Sequence, residues 1–451
     1  MPDHRTSARH ILIAGLLSLV IVLTTGCDRL SQVLTRELTP PTPATVVRAT
    51  ETVAPTVAPT APTTTPTPDL VALALWTTED LGPVGQTPGS RLLSAQIAAF
   101  EAANPGVKVD VVLKKPYGKG GMLDFLTTTA AAVPAALPDV AVLDVRELGM
   151  AAERNLIQPL DGRITPELVQ DLVAPARTAG QINNSWLGLP FEADVQHLIY
   201  NTGLTPTPPV TWTDVLSGTS QYLFPAGGQA AVAGEGRLVN DAFVIQYFGT
   251  GARLTGESGQ PTLDKDAVTA VLQFYADGLA AGVIPKSAIQ YTSVADTWPI
   301  YLSEEVGMAN TSAHRYLEGR AGFRKSSFAA IPTRDGTLMS IFRGWAYVLV
   351  AQQPERQELA WSLIEWLTSP DRLGEWALAA NYLPTRLSAW PDVADDEYLA
   401  FLAELLQTAQ VRPTGPGHDE VGRALQRAVQ AVFAGTSTPA EAAAQAAASV
   451  P

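Results

Sequence analysis

From residue 70 onward, the apolar positions switch repeatedly between strand-like runs and helix-like spacing. "LVALALW", residues 70–76, is a short apolar run of strand length, the pattern of a buried strand. In "SRLLSAQIAAFEAANPG", Leu93, Ile97 and Phe100 fall on one helical face. Ser90 is placed to cap that helix, and Asn104-Pro105-Gly106 to stop it. "VKVDVVL", 107–113, predicts a second strand, residues 121–132 a second helix, and "DVAVLD", 139–144, a third strand. Such alternation predicts an open parallel α/β sheet. Ligands of these sheets sit beyond the carboxyl ends of the strands. Those ends hold Trp76, Thr77, Thr78 and Glu79 after the first strand, and Asp144 after the third.

The pattern continues through "GLPFEADVQHLIYNTGLTPTPPVTWTDVL", where a strand-like "VQHLIYN" runs into a Pro-rich turn and Thr213 or Asp214 opens a helix. "TLDKDAVTAVLQFYADGLAAGVIP" predicts an amphipathic helix capped by Asp264, with Val268, Val271, Leu272, Tyr275 and Leu279 as its apolar stripe. "PERQELAWSLIEWLTSPDR" predicts another, with Leu359, Leu363, Trp366 and Leu367 inward. Residues 396–448 read as two or three helices, and no repeat of fixed period is present.

Before residue 70 the pattern differs. Arg5, Arg9 and His10 precede the apolar run "ILIAGLLSLVIVL", 11–23, which ends in small residues. A basic start, a short apolar core and a small-residue boundary fit a secretory signal peptide over residues 1–26. A short membrane anchor is the alternative, although the run falls short of the roughly 20 residues a span needs. "LTTGC" resembles a bacterial lipobox, in which Cys27 would receive the lipid and become the first mature residue. Thr24 stands where an apolar residue is usual. Cys27 is the chain's single cysteine, so no intramolecular disulfide framework or Cys-rich zinc site is possible. Residues 27–68 are expected to be a lipid-anchored Thr/Pro-rich tether; within it "TPPTPATVVRATETVAPTVAPTAPTTTPTP", 39–68, is mostly Thr, Pro, Ala and Val, without apolar periodicity. It predicts an extended tether of about 90 Å at most.

Composition narrows the function. The 451 residues include 46% hydrophobic and 16% charged positions, with a formal net charge of −14. An acidic chain argues against nonspecific nucleic-acid binding, which needs a basic face against phosphate. The sequence holds no G-x-S-x-G, H-E-x-x-H or GxxxxGK[ST] stretch. No metal, cofactor or catalytic residue is expected.

Taken in order, "LALWTTE", "IAAFEAANPGVKVDVV", "LPDVAVLDVREL", "GLPFEADVQHLIYN", "PPVTWTDVL", "GMANTSAHR", "FRGWAYVLV", "AWSLIEWLTS", "NYLPTR" and "AGTSTPAEAAAQAAASV" resemble the family 1 extracellular solute-binding proteins, the group containing maltose-binding protein. The resemblance spans nearly all of residues 70–450. It implies a two-lobed α/β periplasmic-binding-protein-like fold (type II) with three hinge crossings, near Glu192–His197, Ile331–Leu338 and Thr385–Asp395. The N-lobe would be 69–193 plus 335–388, and the C-lobe 194–334 plus 389–451.

It also implies a cleft ligand, a carbohydrate or polyol, handed to membrane permease subunits by a monomeric, lipid-anchored extracytoplasmic protein. Sugars present C–H faces to aromatic rings and hydroxyls to carboxylates, amides and Arg. The candidates are Trp76 and Glu79; Asp144, which could instead cap a helix; Glu192 and Asp194 at the first hinge; Trp298; Thr311, Ser312 and His314; Arg343 and Trp345; and Tyr382 in "NYLPTR". His314 falls where relatives commonly carry an aromatic, which weakens a maltodextrin assignment. The competing readings are a secreted carbohydrate-active hydrolase, whose two acids need no local motif, and a sensory binding lipoprotein without transport.

Overall fold

A computed structural model describes residues 70–231 and 236–450. Residues 1–69, where a signal peptide, a lipidated Cys27 and a Thr/Pro-rich tether are expected, lie outside the described residues. Among the described residues, no helix is long and apolar enough to cross a membrane.

The chain lays down β1 (Val71–Thr78), β2 (Val107–Lys114), β3 (Val140–Asp144) and β4 (Leu189–Asp194), then β5 (Gln196–Asn201) and β6 (Tyr222–Leu223). It continues with β7 (Met308–Ser312), β8 (Ser326–Ala329), β9 (Ile341–Leu349), β10 (Leu383–Pro384) and β11 (Gln410–Val411). The first sheet has the order β10-β4-β9-β3-β1-β2, with β11 also paired to β9. The second has the order β8-β5-β7-β6. Each sheet carries its own helices, giving two lobes.

The expectation of an open parallel sheet holds for β1, β2 and β3, which pair in parallel. It fails for β9, which runs antiparallel to both β3 and β4. A strand that arrives late in the chain, from the second lobe, is not bound by the short right-handed crossover that forces parallel pairing. Three other boundaries moved. Thr87 rather than Ser90 caps the helix Pro88–Ala103, accepting the Ser90 N–H. The predicted helix through "PERQELAWSLIEWLTSPDR" breaks at Thr368 into Pro354–Leu367 and Pro370–Ala379, because Pro370 begins a new helix. Thr211 caps Trp212–Ser217, with Asp214 closing a capping box.

The period of two along the first sheet explains both its core and its cleft wall. Val140 and Val142 on β3, and Tyr347 and Leu349 on β9, are buried in the core shared with the helices Pro88–Ala103, Pro354–Leu367 and Pro370–Ala379. Two residues further along the same strands come Asp144 and Trp345, on the same face. Beyond the covering helices, that face is open to ligand.

The crossings between sheets lie side by side. Only Val195 separates β4 from β5. Ser340, just before β9, accepts the Gln196 N–H at 2.9 Å and donates to the Gln196 carbonyl at 2.8 Å. The Gln410 N–H reaches the Ser340 carbonyl at 2.9 Å. Three segments distant in sequence are thereby joined at one buried seryl residue.

Candidate functional site

A cleft of about 880 Å³ opens between the lobes, a volume suited to a small-molecule ligand. Its first wall is a row across the sheet. Asp144 pairs with Trp345, and Trp345 with Glu192. The register slips between Trp345 and Ala346, leaving Phe191 without a partner on β9. Asp194 lies one step on, opposite Arg343. Gly344 between them admits no side chain, since a Cβ would meet the Glu192 carbonyl at 2.5 Å.

Tyr117, from the loop after β2, packs its ring 5.5 Å from Trp345 at an interplanar angle of 34°. Its hydroxyl donates to Asp144 at 2.7 Å. Arg146 donates to the other Asp144 oxygen through Nε at 2.9 Å. The two rings make an aromatic shelf whose polar edge is fixed by Asp144.

The opposite wall comes from the second lobe. Asn240 caps the helix Asp241–Phe248, and Ser293 caps the helix Val294–Leu302; both caps line the cleft. Asp241 accepts from Arg343 Nε at 2.7 Å and from Arg412 Nη1 at 3.1 Å. Since Arg343 belongs to the first sheet, this ion pair bridges the lobes. His314 bridges them again. It stacks on Tyr382 at 4.2 Å and 10°, and its Nδ1 lies 3.0 Å from the Asn381 carbonyl. A carbonyl only accepts, so Nδ1 carries the proton and, in the neutral ring, Nε2 is an acceptor.

The structure brings seven of the sequence candidates to this cleft: Asp144, Glu192, Asp194, His314, Arg343, Trp345 and Tyr382. Asp144 also caps, accepting the Arg146 N–H at 2.8 Å, so both of its roles coexist. The remaining candidates lie elsewhere. β1 runs two residues beyond its predicted end, so Trp76 sits within the strand, 7% exposed, edge-on to Phe125 and beneath Lys114. Glu79 is exposed in the following turn. Trp298 packs beside Tyr301 and Phe323. Thr311 is fully buried in β7, and Ser312 caps the helix Ala313–Gly319.

Sequence reasoning missed Tyr117, Arg146, Glu147 and Asp241. The strand-end rule that found Asp144 covers the first three, since they follow β2 and β3. Asp241 had only the weaker signal of "VNDAF", a capped helix start. Among the described residues, no group of three or more His, Cys, Asp or Glu is placed to hold a metal ion.

The model of the family described as bacterial extracellular solute-binding protein matches residues 95–400. The chain belongs to this family.

As an extracellular solute-binding protein it functions outside the cytoplasm, in a family of binding proteins rather than enzymes. It is 23% identical over 333 residues to the maltotriose-binding protein of Pyrococcus abyssi, covering 69% of each chain. Its fold is similar to that of the cyclic α-maltosyl-1,6-maltose binding protein of Arthrobacter globiformis, with a TM-score of 0.69 at 19% identity over 84% of this chain and 98% of that one. A solute-binding protein of an ABC transporter from Thermotoga lettingae, bound with α-D-tagatose, gives 0.63 at 24% identity over 84% and 98%.

The acids of this solute-binding protein's cleft divide by partner. Burial opposes ionisation of Asp241, but Arg343 and Arg412 outweigh it and hold the carboxyl down at about 2. Asp144 is likewise buried, yet Arg146 and Arg343 hold it below the usual range. Burial, with Asp194 and Asp144 adding to it, pushes Glu192 well above that range. Burial, then Asp144, pushes Glu147 up to about 8. Asp194 is raised by burial, but the His314 N–H and the Ser312 hydroxyl support its charge, whereas Glu192 has only the Trp345 main-chain N–H.

Proposed function

We propose that this protein captures a carbohydrate or polyol between its lobes, 69–193 plus 335–388 and 194–334 plus 389–451, and delivers it to an ABC-type permease. The observation behind the reading is the Tyr117–Trp345 shelf, set against Asp144 and Arg146 in an interlobe cleft. Rings cover the C–H face of a sugar, while the Arg146 guanidinium, held by Asp144, donates to its hydroxyls. The names of the relatives, which bind maltotriose, a cyclic maltosyl-maltose and tagatose, agree on sugar chemistry and differ in size. Ligand touching both walls favours the closed state by its differential contacts. The chain itself has no phosphate-binding loop sequence, so energy for uptake comes from a partner.

Thermal shift and calorimetry of the purified full-length chain against mono- and oligosaccharides test this, because a binder raises the melting temperature by linkage. Release of product from an oligosaccharide panel would overturn it in favour of a hydrolase.

Cys27 is the lipid attachment point in this reading, and the Thr/Pro-rich tether holds the folded part off the membrane surface. Cys27→Ser therefore releases the protein into the medium with its sugar affinity unchanged. A soluble variant with weakened affinity would refute that separation of anchor and site.

A further inference from the structure

Glu192 stands in the middle of the first wall, 1% exposed, and its Oε2 makes no hydrogen bond. Acids flank it on both sides. Asp144 lies across Trp345 in the same row, and Asp194 lies two residues along β4. The guanidinium groups of this wall are committed elsewhere, Arg146 to Asp144 and Arg343 to Asp241. From the other elements packed around it, Trp345 offers a main-chain N–H and Tyr382 a phenol, while the His314 main-chain N–H goes to Asp194 and its ring to Tyr382 and the Asn381 carbonyl. An ionised Glu192 would be a buried anion with no cation, between two carboxylates, which is a steep desolvation cost. A proton removes that cost and leaves a carboxyl O–H. Glu192 lines the cleft, and its orphan Oε2, buried behind that lining, has no acceptor within the protein.

We propose that Glu192 reads its ligand as a hydrogen-bond donor, presenting a carboxyl O–H to a lone pair of a ligand hydroxyl or ring oxygen. The proposal rests on the carbohydrate reading above. It sets Glu192 apart from Asp144, whose two oxygens already accept from Tyr117 and Arg146. The raised carboxyl of Glu192 agrees with this assignment. Affinity is then full while the proton is held and falls as pH rises through the raised value. Glu147, which faces Asp144, Arg146 and Arg154, titrates near 8 in the same cleft. The wild-type pH profile alone therefore does not isolate Glu192. Glu192→Gln does, since the amide keeps an N–H donor and cannot titrate.

The test uses the full-length chain, maltotriose as probe, and calorimetry between about pH 6 and about pH 9. Glu192→Gln is expected to hold wild-type affinity at the acid end within about threefold and to flatten the decline toward alkaline pH. Glu192→Ala is expected to lose about tenfold. In the ligand-free protein at neutral pH, the infrared difference between wild type and Glu192→Gln should contain the C=O stretch of a protonated carboxyl. A Gln variant that binds as weakly as Ala, or a difference spectrum with only a carboxylate band, overturns the proposal. Failure of the wild type to bind any sugar would instead sink the carbohydrate reading. The infrared band would then decide the state of Glu192 by itself.

Discussion

Asp241 and Glu192 face the same cleft from opposite lobes, are 2% and 1% exposed, and end in opposite charge states. Burial is equal, so partners make the difference. Asp241 starts a helix, where N–H groups favour an anion, and it receives two arginines. Glu192 sits on a strand, with carboxylates to either side and no guanidinium. The first arrangement fixes a structural tie between lobes. The second leaves a group unsatisfied until a ligand arrives. An acid held by the protein stabilises the fold, while an acid held by nothing is available for recognition.

The largest effect expected from breaking this contrast is at Asp241. Asp241→Ala leaves Arg412 buried and Arg343 half-buried without their carboxylate, at a cost of about 3–5 kcal/mol. Thermal or urea unfolding of the apo protein should register it plainly. Because the folded carboxyl is depressed, its contribution is present above the ordinary carboxylate range and is lost as pH falls through about 2. Glu192→Gln, by contrast, removes the cost of keeping a buried acid protonated at neutral pH and should not lower stability. Equal losses in the two variants would erase the distinction between tie and recognition group.

Glu147 gives the next effect. It is 2% exposed, its Oε2 has no partner, and its carboxyl is pushed from the ordinary 4.5 up to about 8. A raised folded value means that stability is full below about 4.5 and declines as pH rises toward 8. Glu147→Gln cannot ionise and escapes the decline, so it should be more stable than wild type near neutral pH by about 1–3 kcal/mol. The advantage should vanish in acid. A variant less stable than wild type at every pH would mean that Glu147 has a partner in the folded state.

The sequence made the local elements and the first wall legible for the same reason. Strand periodicity places Asp144 two residues after Val142, and an exposed strand end needs no long-range knowledge. β9 was legible as "FRGWAYVLV", but its antiparallel place between β3 and β4 was not, because that depends on a chain returning from the other lobe. Trp76 was misplaced by a two-residue error in a strand end, enough to move a ring from cleft to core. The second wall was legible only in part. The Asp241–Arg343 pair joins residues 102 positions apart, and neither residue carries a local mark of the other.

Trp345 offers the smallest effect and the finest division of the first wall. Its backbone aligns Asp144 with Glu192, while its ring forms the shelf with Tyr117. Trp345→Phe keeps the strand and an aromatic face but reduces the stacking area. Aromatic contacts contribute about 0.5–1.5 kcal/mol beyond buried area. Sugar affinity should therefore drop by about three- to fivefold in the Phe variant, less than in Trp345→Ala. The pH dependence assigned to Glu192 should survive in both, since the row is set by the main chain. If Phe loses affinity as fully as Ala while the pH dependence also disappears, the ring orders the Glu192 carboxyl, and the wall is one coupled unit.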